Sequence, residues 1–254
     1  MEWFEWIIFV ASGVLVGIIN TLAGSGSLIT LPIFISLCGL PPTVANGTNR
    51  IGVLVQTFVG ALTFYRNGKL SYRGLGWMLI PALPGVILGT LLATGVRDET
   101  MNYVIAGLMF LMLFVMLVNP RRWLRSDSEV DVKQQRSLLS LGVFLAIGAY
   151  IGFIQAGSGI FLLAALVLLQ GYSLVEANAI KMLFVWIANV PALCIFMANG
   201  QIDWEFGLLM AIGQSVGAWI GARFASSYPN APIWIHRLLI VIVIFAALHL
   251  LGIV

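Results

Sequence analysis

Two basic residues lie where an apolar chain should hold none. Arg50 sits in ANGTNRIG (45–52) and Lys181 in ANAIKMLF (177–184), each a few residues into a long hydrophobic stretch. An ionisable group inside a membrane span costs about 2.5–3.5 kcal/mol on insertion scales, which marks a functional site by default. Arg50 would offer a planar, permanently charged fork suited to an oxyanion. Lys181 would act as a point charge. The structural alternative is snorkelling from a span end to the interface. Asn46, Thr48, Asn49 and Asn178 surround the two cations in sequence, while Gln155, Gln56, Asn189 and Gln214 are weaker candidates.

A second pattern points the same way. AGSGS (23–27) and AGSGI (156–160) interrupt two apolar runs. Gly24, Ser25, Gly26 and Ser27, with Gly157, Ser158 and Gly159, would sit at the start of short helices. Free backbone N–H groups and the positive dipole end attract an anion there. Glycine would let the ligand approach the backbone, and serine would add a hydroxyl. Small residues also serve tight helix packing, which is the reading for Gly85-xxx-Gly89 and Gly217-xxx-Gly221. Acidic residues are scarce: only Glu176 lies near a span, at its start. A proton relay through carboxylates and a cationic substrate are both disfavoured. His236 and His249 share the last span and are read as packed or interfacial.

The elements that would hold these residues are membrane helices. The chain is 60% hydrophobic and 9% charged, against about 25% charge in a soluble domain. Apolar runs long enough to span occur at 7–23, 44–65, 75–96, 101–118, 138–155, 176–197, 207–225 and 233–253. The first fifteen residues lack a basic region and a cleavage site, so the first span is expected to be retained. Cys38 and Cys194 are expected as free, packed thiols. No metal-ligand spacing or cofactor motif is present, and none of either is expected. The net charge of +3 is explained by topology and not by nucleic acid.

The chain repeats itself. Gly39 pairs with Gly171 at an offset of 132, and so do Ala45-Asn46 with Ala177-Asn178, Phe64 with Phe196, and Asn67-Gly68 with Asn199-Gly200. Gly85, Gly89 and Ala93 pair with Gly217, Gly221 and Ala225, and the AGSG copies follow one residue out of register. The expected units are 1–118 (broken hairpin 7–38, spans 44–65, 75–96, 101–118), a cytoplasmic linker 119–137, and 138–254 (broken hairpin 138–170, spans 176–197, 207–225, 233–253). Arg66, Lys69 and Arg73 follow the third apolar segment of the first unit, where the second unit has Asp203 and Glu205. By the positive-inside rule the units have inverted topology, with both termini outside. Trp3, Trp6, Trp77, Trp123, Trp204 and Trp234 lie near span ends, as an interfacial belt would. The fold class is thus an all-α polytopic membrane protein of two inverted repeats, each a broken, re-entrant-like hairpin plus three spans. Short, Gly-interrupted segments at matching repeat positions are the best sequence pointer to a transport site.

The Gly-rich breaks, the ANGTN span start and the NG turns together resemble the sulfite exporter TauE/SafE family of membrane permeases, over essentially the whole chain. That resemblance implies transport of sulfite or short organosulfonates across the bacterial inner membrane. It puts the family's breaks on Gly24, Ser25, Gly26 and Gly157, Ser158, Gly159, and its polar span start on Asn46, Thr48, Asn49 and Arg50. Two departures, AGSGS and AGSGI for a run of glycines and ANAIKM for a Gly-Thr-Ser-like start, bear on the substrate more than on the fold. The expected partners are a small anion and the lipid bilayer, and the sequence leaves a homodimer open. A permease or channel for another anion, such as a carboxylate, is the second reading. An intramembrane serine protease fits poorly, because a catalytic serine needs an adjacent base and both histidines lie in one span. The chain is therefore expected not to be an enzyme.

Overall fold

The computed structural model describes residues 3–107 and 137–228. Most of the linker, the last span, most of the span at 101–118, both histidines, Trp123 and Trp234 lie outside the described residues. Nine helical segments make up the described part, with no strand among them: α1 (Trp3–Ala23), α2 (Ser27–Pro32), α3 (Pro42–Arg66), α4 (Leu75–Thr94), α5 (98–107), α6 (Leu138–Phe153), α7 (Ser158–Ala164), α8 (Leu174–Ala198) and α9 (Trp204–Ser227).

Both expected interruptions are present. Gly24 ends α1 in a left-handed conformation (φ +76°), its N–H donating to the Asn20 carbonyl at 2.8 Å. After the break α2 begins and widens into a π-helical turn, Ile33–Leu37. The second break runs from Ile154 to Gly157, and α7 also widens into a π turn, Ala165–Leu169. The long helices start with recognisable devices. Pro42 opens α3 at a position whose N–H would be unpaired anyway. Ser173 and Glu176 form a reciprocal capping box on α8, so the acidic residue at the start of that span has a local structural task. The Asp203 carboxylate accepts from the Phe206 N–H at 3.0 Å to cap α9. The two NG turns match: Gly68 and Gly200 both adopt φ +66°.

Four described helices are long and apolar enough to cross a bilayer: Trp6–Ala23, Leu75–Thr94, Leu174–Ala198 and Trp204–Ser227. α3 has 25 residues, about 37 Å at the usual rise, but is too polar to join them. Its polar face is covered by α8 and α9, which lets Asn46, Asn49, Arg50, Gln56 and Thr57 sit buried. α6, at 16 residues, is shorter than a full span. Cys194, expected packed, lies exposed on α8, and Cys38 is half-buried.

The expected units interleave. α1 packs on α9 and α6 packs on α4, while α3 packs against α8 and α9. Helix contact is close at the glycines read as packing motifs. A methyl on Gly85 would lie 2.3 Å from the Leu145 carbonyl oxygen, and one on Gly217 would lie 2.1 Å from that of Val14. α3 and α8 are antiparallel: Arg50 meets Asn189 and Phe196, while ten residues later Gly60 meets Met182.

Candidate functional site

The two breaks touch. A methyl added to Gly24 would lie 2.6 Å from the Gly159 Cα, and one added to Gly159 would lie 2.5 Å from the Gly24 Cα. No side chain separates the two backbones here, which only glycine permits. Beside this crossing lies a cavity of about 20 Å³, lined by Asn20, Gly24, Ser27 and Thr57 from the first half and by Gln155, Ser158, Gly159 and Lys181 from the second. Val53, Met182 and Val185 complete the wall.

Both cations are buried, at 0% exposure for Arg50 and 2% for Lys181. Each is spent on the broken helix of the opposite half. Arg50 Nη2 donates to the carbonyls of Gly152 at 2.6 Å and Ile151 at 3.1 Å, and Nη1 donates to Ile151 at 3.1 Å and to Asn189 Oδ1 at 3.4 Å. Its guanidinium carbon stands 4.7 Å from the centroid of the Phe196 ring. Asn46 Nδ2 takes the next carbonyl, Phe153, at 2.8 Å. Lys181 does the reciprocal work on α1. Its Nζ donates to the carbonyls of Asn20 at 3.1 Å and Thr21 at 2.8 Å, and to Asn178 Oδ1 at 2.8 Å. The last carbonyls of a helix lack internal partners and carry the negative end of its dipole. A cation from the other half answers both needs at each break.

The residues expected to bind a ligand therefore separate into groups. Gly24, Ser27, Ser158, Gly159 and Lys181 come together on the cavity wall. Asn49 and Asn178 stand one contact behind it, Asn49 donating to Ser27 Oγ at 3.1 Å and Asn178 holding Lys181. Gly26 has its N–H engaged by Asn20 Oδ1 at 3.2 Å, so that group is not free at the helix start. Gly157 is the left-handed cap of α7, and Ser25 is buried with its hydroxyl unpartnered. Asn46 and Arg50 are not on the cavity wall; they serve the end of α6. Thr48 lies elsewhere again, its Oγ1 accepting the Asp203 N–H at 2.9 Å at the start of α9.

Asn20 and Thr57 are wall residues that the sequence reading left out, although a lone Asn within VGIINTLAG is itself a polar group in an apolar run. Gln155 rises from a weaker candidate to a wall residue. Among the described residues no group of His, Cys, Asp and Glu could hold a metal ion.

A family model described as sulfite exporter TauE/SafE matches residues 9–250. The chain is 31% identical over 245 residues to the probable membrane transporter protein ORF9 of a Sinorhizobium species, covering 96% of this chain and 91% of that protein. It is 30% identical over 213 residues to a probable membrane transporter protein of Haemophilus influenzae, covering 83% and 81%. It is 28% identical over 225 residues to the probable membrane transporter protein YfcA of Escherichia coli K12, covering 87% and 80%. No solved structure matches the chain.

Proposed function

Because the chain belongs to the sulfite exporter TauE/SafE family of membrane transporters, we propose that it carries a small sulfur-containing oxyanion, sulfite or a short organosulfonate, across the bacterial inner membrane. The observation that carries the site is the crossing of Gly24 and Gly159 beside a small cavity whose mostly apolar wall holds a few polar groups and one ammonium group. Ser27, Ser158, Gln155 and Lys181 are the first groups an anion would meet there. Gly24 and Gly159 keep the wall thin enough for close approach.

Alternating access is the mechanism this reading favours. A cavity of about 20 Å³ has room for roughly one water, so the anion enters only when the hairpins part. The antiparallel packing of α3 and α8, whose sequences align at an offset of 132, supports two units of inverted topology rocking about the crossing. An inside-negative potential favours outward movement of each negative charge by about 2.3 kcal/mol per 100 mV, so voltage alone can drive export.

Uptake of labelled sulfite, methanesulfonate and acetate into proteoliposomes tests the proposal. Saturable flux of the sulfur anions is expected. Ser158→Ala, which removes one hydroxyl from the wall, should raise KM about tenfold, the worth of one hydrogen bond to a charged group. Acetate flux without sulfur-anion flux would sink the substrate and leave the site. An unchanged KM in Ser158→Ala would sink the site.

A further inference from the structure

Gln155 occupies a place that its own packing does not explain. It is 3% exposed, yet neither its Oε1 nor its Nε2 has a hydrogen-bond partner. Its backbone sits at φ +60°, the one left-handed conformation among the described non-glycine residues; Gly24 and Gly157 supply that geometry elsewhere at the breaks. A buried polar group without a partner and a left-handed backbone at a long side chain are both unfavourable. The backbone has a local task, since the Gln155 N–H donates to the Tyr150 carbonyl at 3.3 Å and ends α6 much as left-handed Gly24 ends α1. The hairpin requires neither a long side chain there nor a buried amide without a partner. At the equivalent position of the first break, the residue before Ala-Gly-Ser-Gly, stands Leu22, an apolar and helical residue. Gln155 instead faces the cavity shared with Ser158, Gly159, Asn20 and Lys181.

We infer that Gln155 is a specificity-determining residue of the anion site, its strained backbone aiming a neutral amide at the transported oxyanion. The inference rests on the reading of the cavity as that site. Nε2 donates to an anion oxygen, and Oε1 accepts from water or from an O–H group carried by the cargo. Lys181 Nζ already has three acceptors. The unspent donors of the amide are thus the directional contacts on this side of the wall, and they suit an anion with separated oxygen atoms.

The test compares the purified full chain with Gln155→Gly and Gln155→Asn, by thermal unfolding with sulfite, methanesulfonate or acetate and by proteoliposome flux. Glycine relieves the left-handed backbone and removes the amide. Its ligand-free Tm should therefore rise, while the anion-induced shift disappears and KM increases about tenfold. Asparagine tolerates the left-handed region and keeps an amide, so it should retain part of the shift. Gln155→Gly with a wild-type shift and KM overturns the inference, as does a wild-type chain that none of the three anions stabilises. If acetate alone stabilises the wild type and Gln155→Gly loses that effect, the role of Gln155 stands and the sulfur-anion reading falls.

Discussion

Arg50 and Lys181 perform the same task at opposite ends of one pair of helices, yet only one of them reaches the cavity. Arg50 closes the carbonyl end of α6 from behind the wall, against Phe196. Lys181 closes the carbonyl end of α1 and also forms part of the wall. A buried cation in a membrane helix is thus no anion ligand by default. The carbonyls of an interrupted helix need a donor as much as a substrate does. The difference teaches that structural and substrate roles can be told apart by which variant changes KM and which changes only stability.

The largest effect should come from Arg50→Leu. It leaves the Ile151 and Gly152 carbonyls without this donor in a buried place, for a loss of about 3 kcal/mol; Thr90 Oγ1 still reaches the Gly152 oxygen. Thermal unfolding in detergent would show it, and Arg50→Lys should recover only part, because an ammonium lacks the fork. The surviving protein should keep its KM. If KM moves more in this variant than in Lys181→Met, the comparison is reversed. Lys181→Met should lose about 2 kcal/mol through the cap on α1. Unlike the arginine variant, it should also raise KM for the anion by at least about tenfold, because it removes a positive charge from the cavity wall even though the lysine N–H groups are already engaged. The smallest effect sharpens the contrast. Thr48→Val removes only the acceptor for the Asp203 N–H. It should lower stability by about 1 kcal/mol with flux kinetics unchanged, although Thr48 stands two residues from Arg50 in sequence.

Much of the fold is legible in the sequence. Gly24 stops a helix within an apolar run because it takes the left-handed conformation cheaply, Gly157 takes it at the start of α7, and the NG turns at 67–68 and 199–200 take it at helix ends. These are local signals. The α8 capping box is local too, and Ser173-x-x-Glu176 could have been read from spacing alone. The candidate site is legible only in part. The partners of Arg50 are backbone carbonyls about a hundred residues away, and a carbonyl leaves no mark on the identity of its residue. Nothing local in ANGTNRIG separates a guanidinium aimed at an anion from one aimed at a helix end. The backbone of Gln155 is hidden for a related reason, since a left-handed glutamine contradicts its own conformational preference and only the surrounding fold imposes it.

The reciprocal caps also bear on how the chain is made. Thr21 receives a donor from Lys181, 160 positions later, and the Asn20 carbonyl, which already accepts the Gly24 N–H, gains a second donor from the same residue 161 positions on. At a synthesis rate of ~5–20 residues per second, Lys181 leaves the ribosome roughly 8–30 s after them. For that interval the first hairpin is already translated while its closing contact does not yet exist. A chain halted after the first half would hold that hairpin without the Lys181 contact to Thr21. The two halves are two copies in pattern but one unit in assembly.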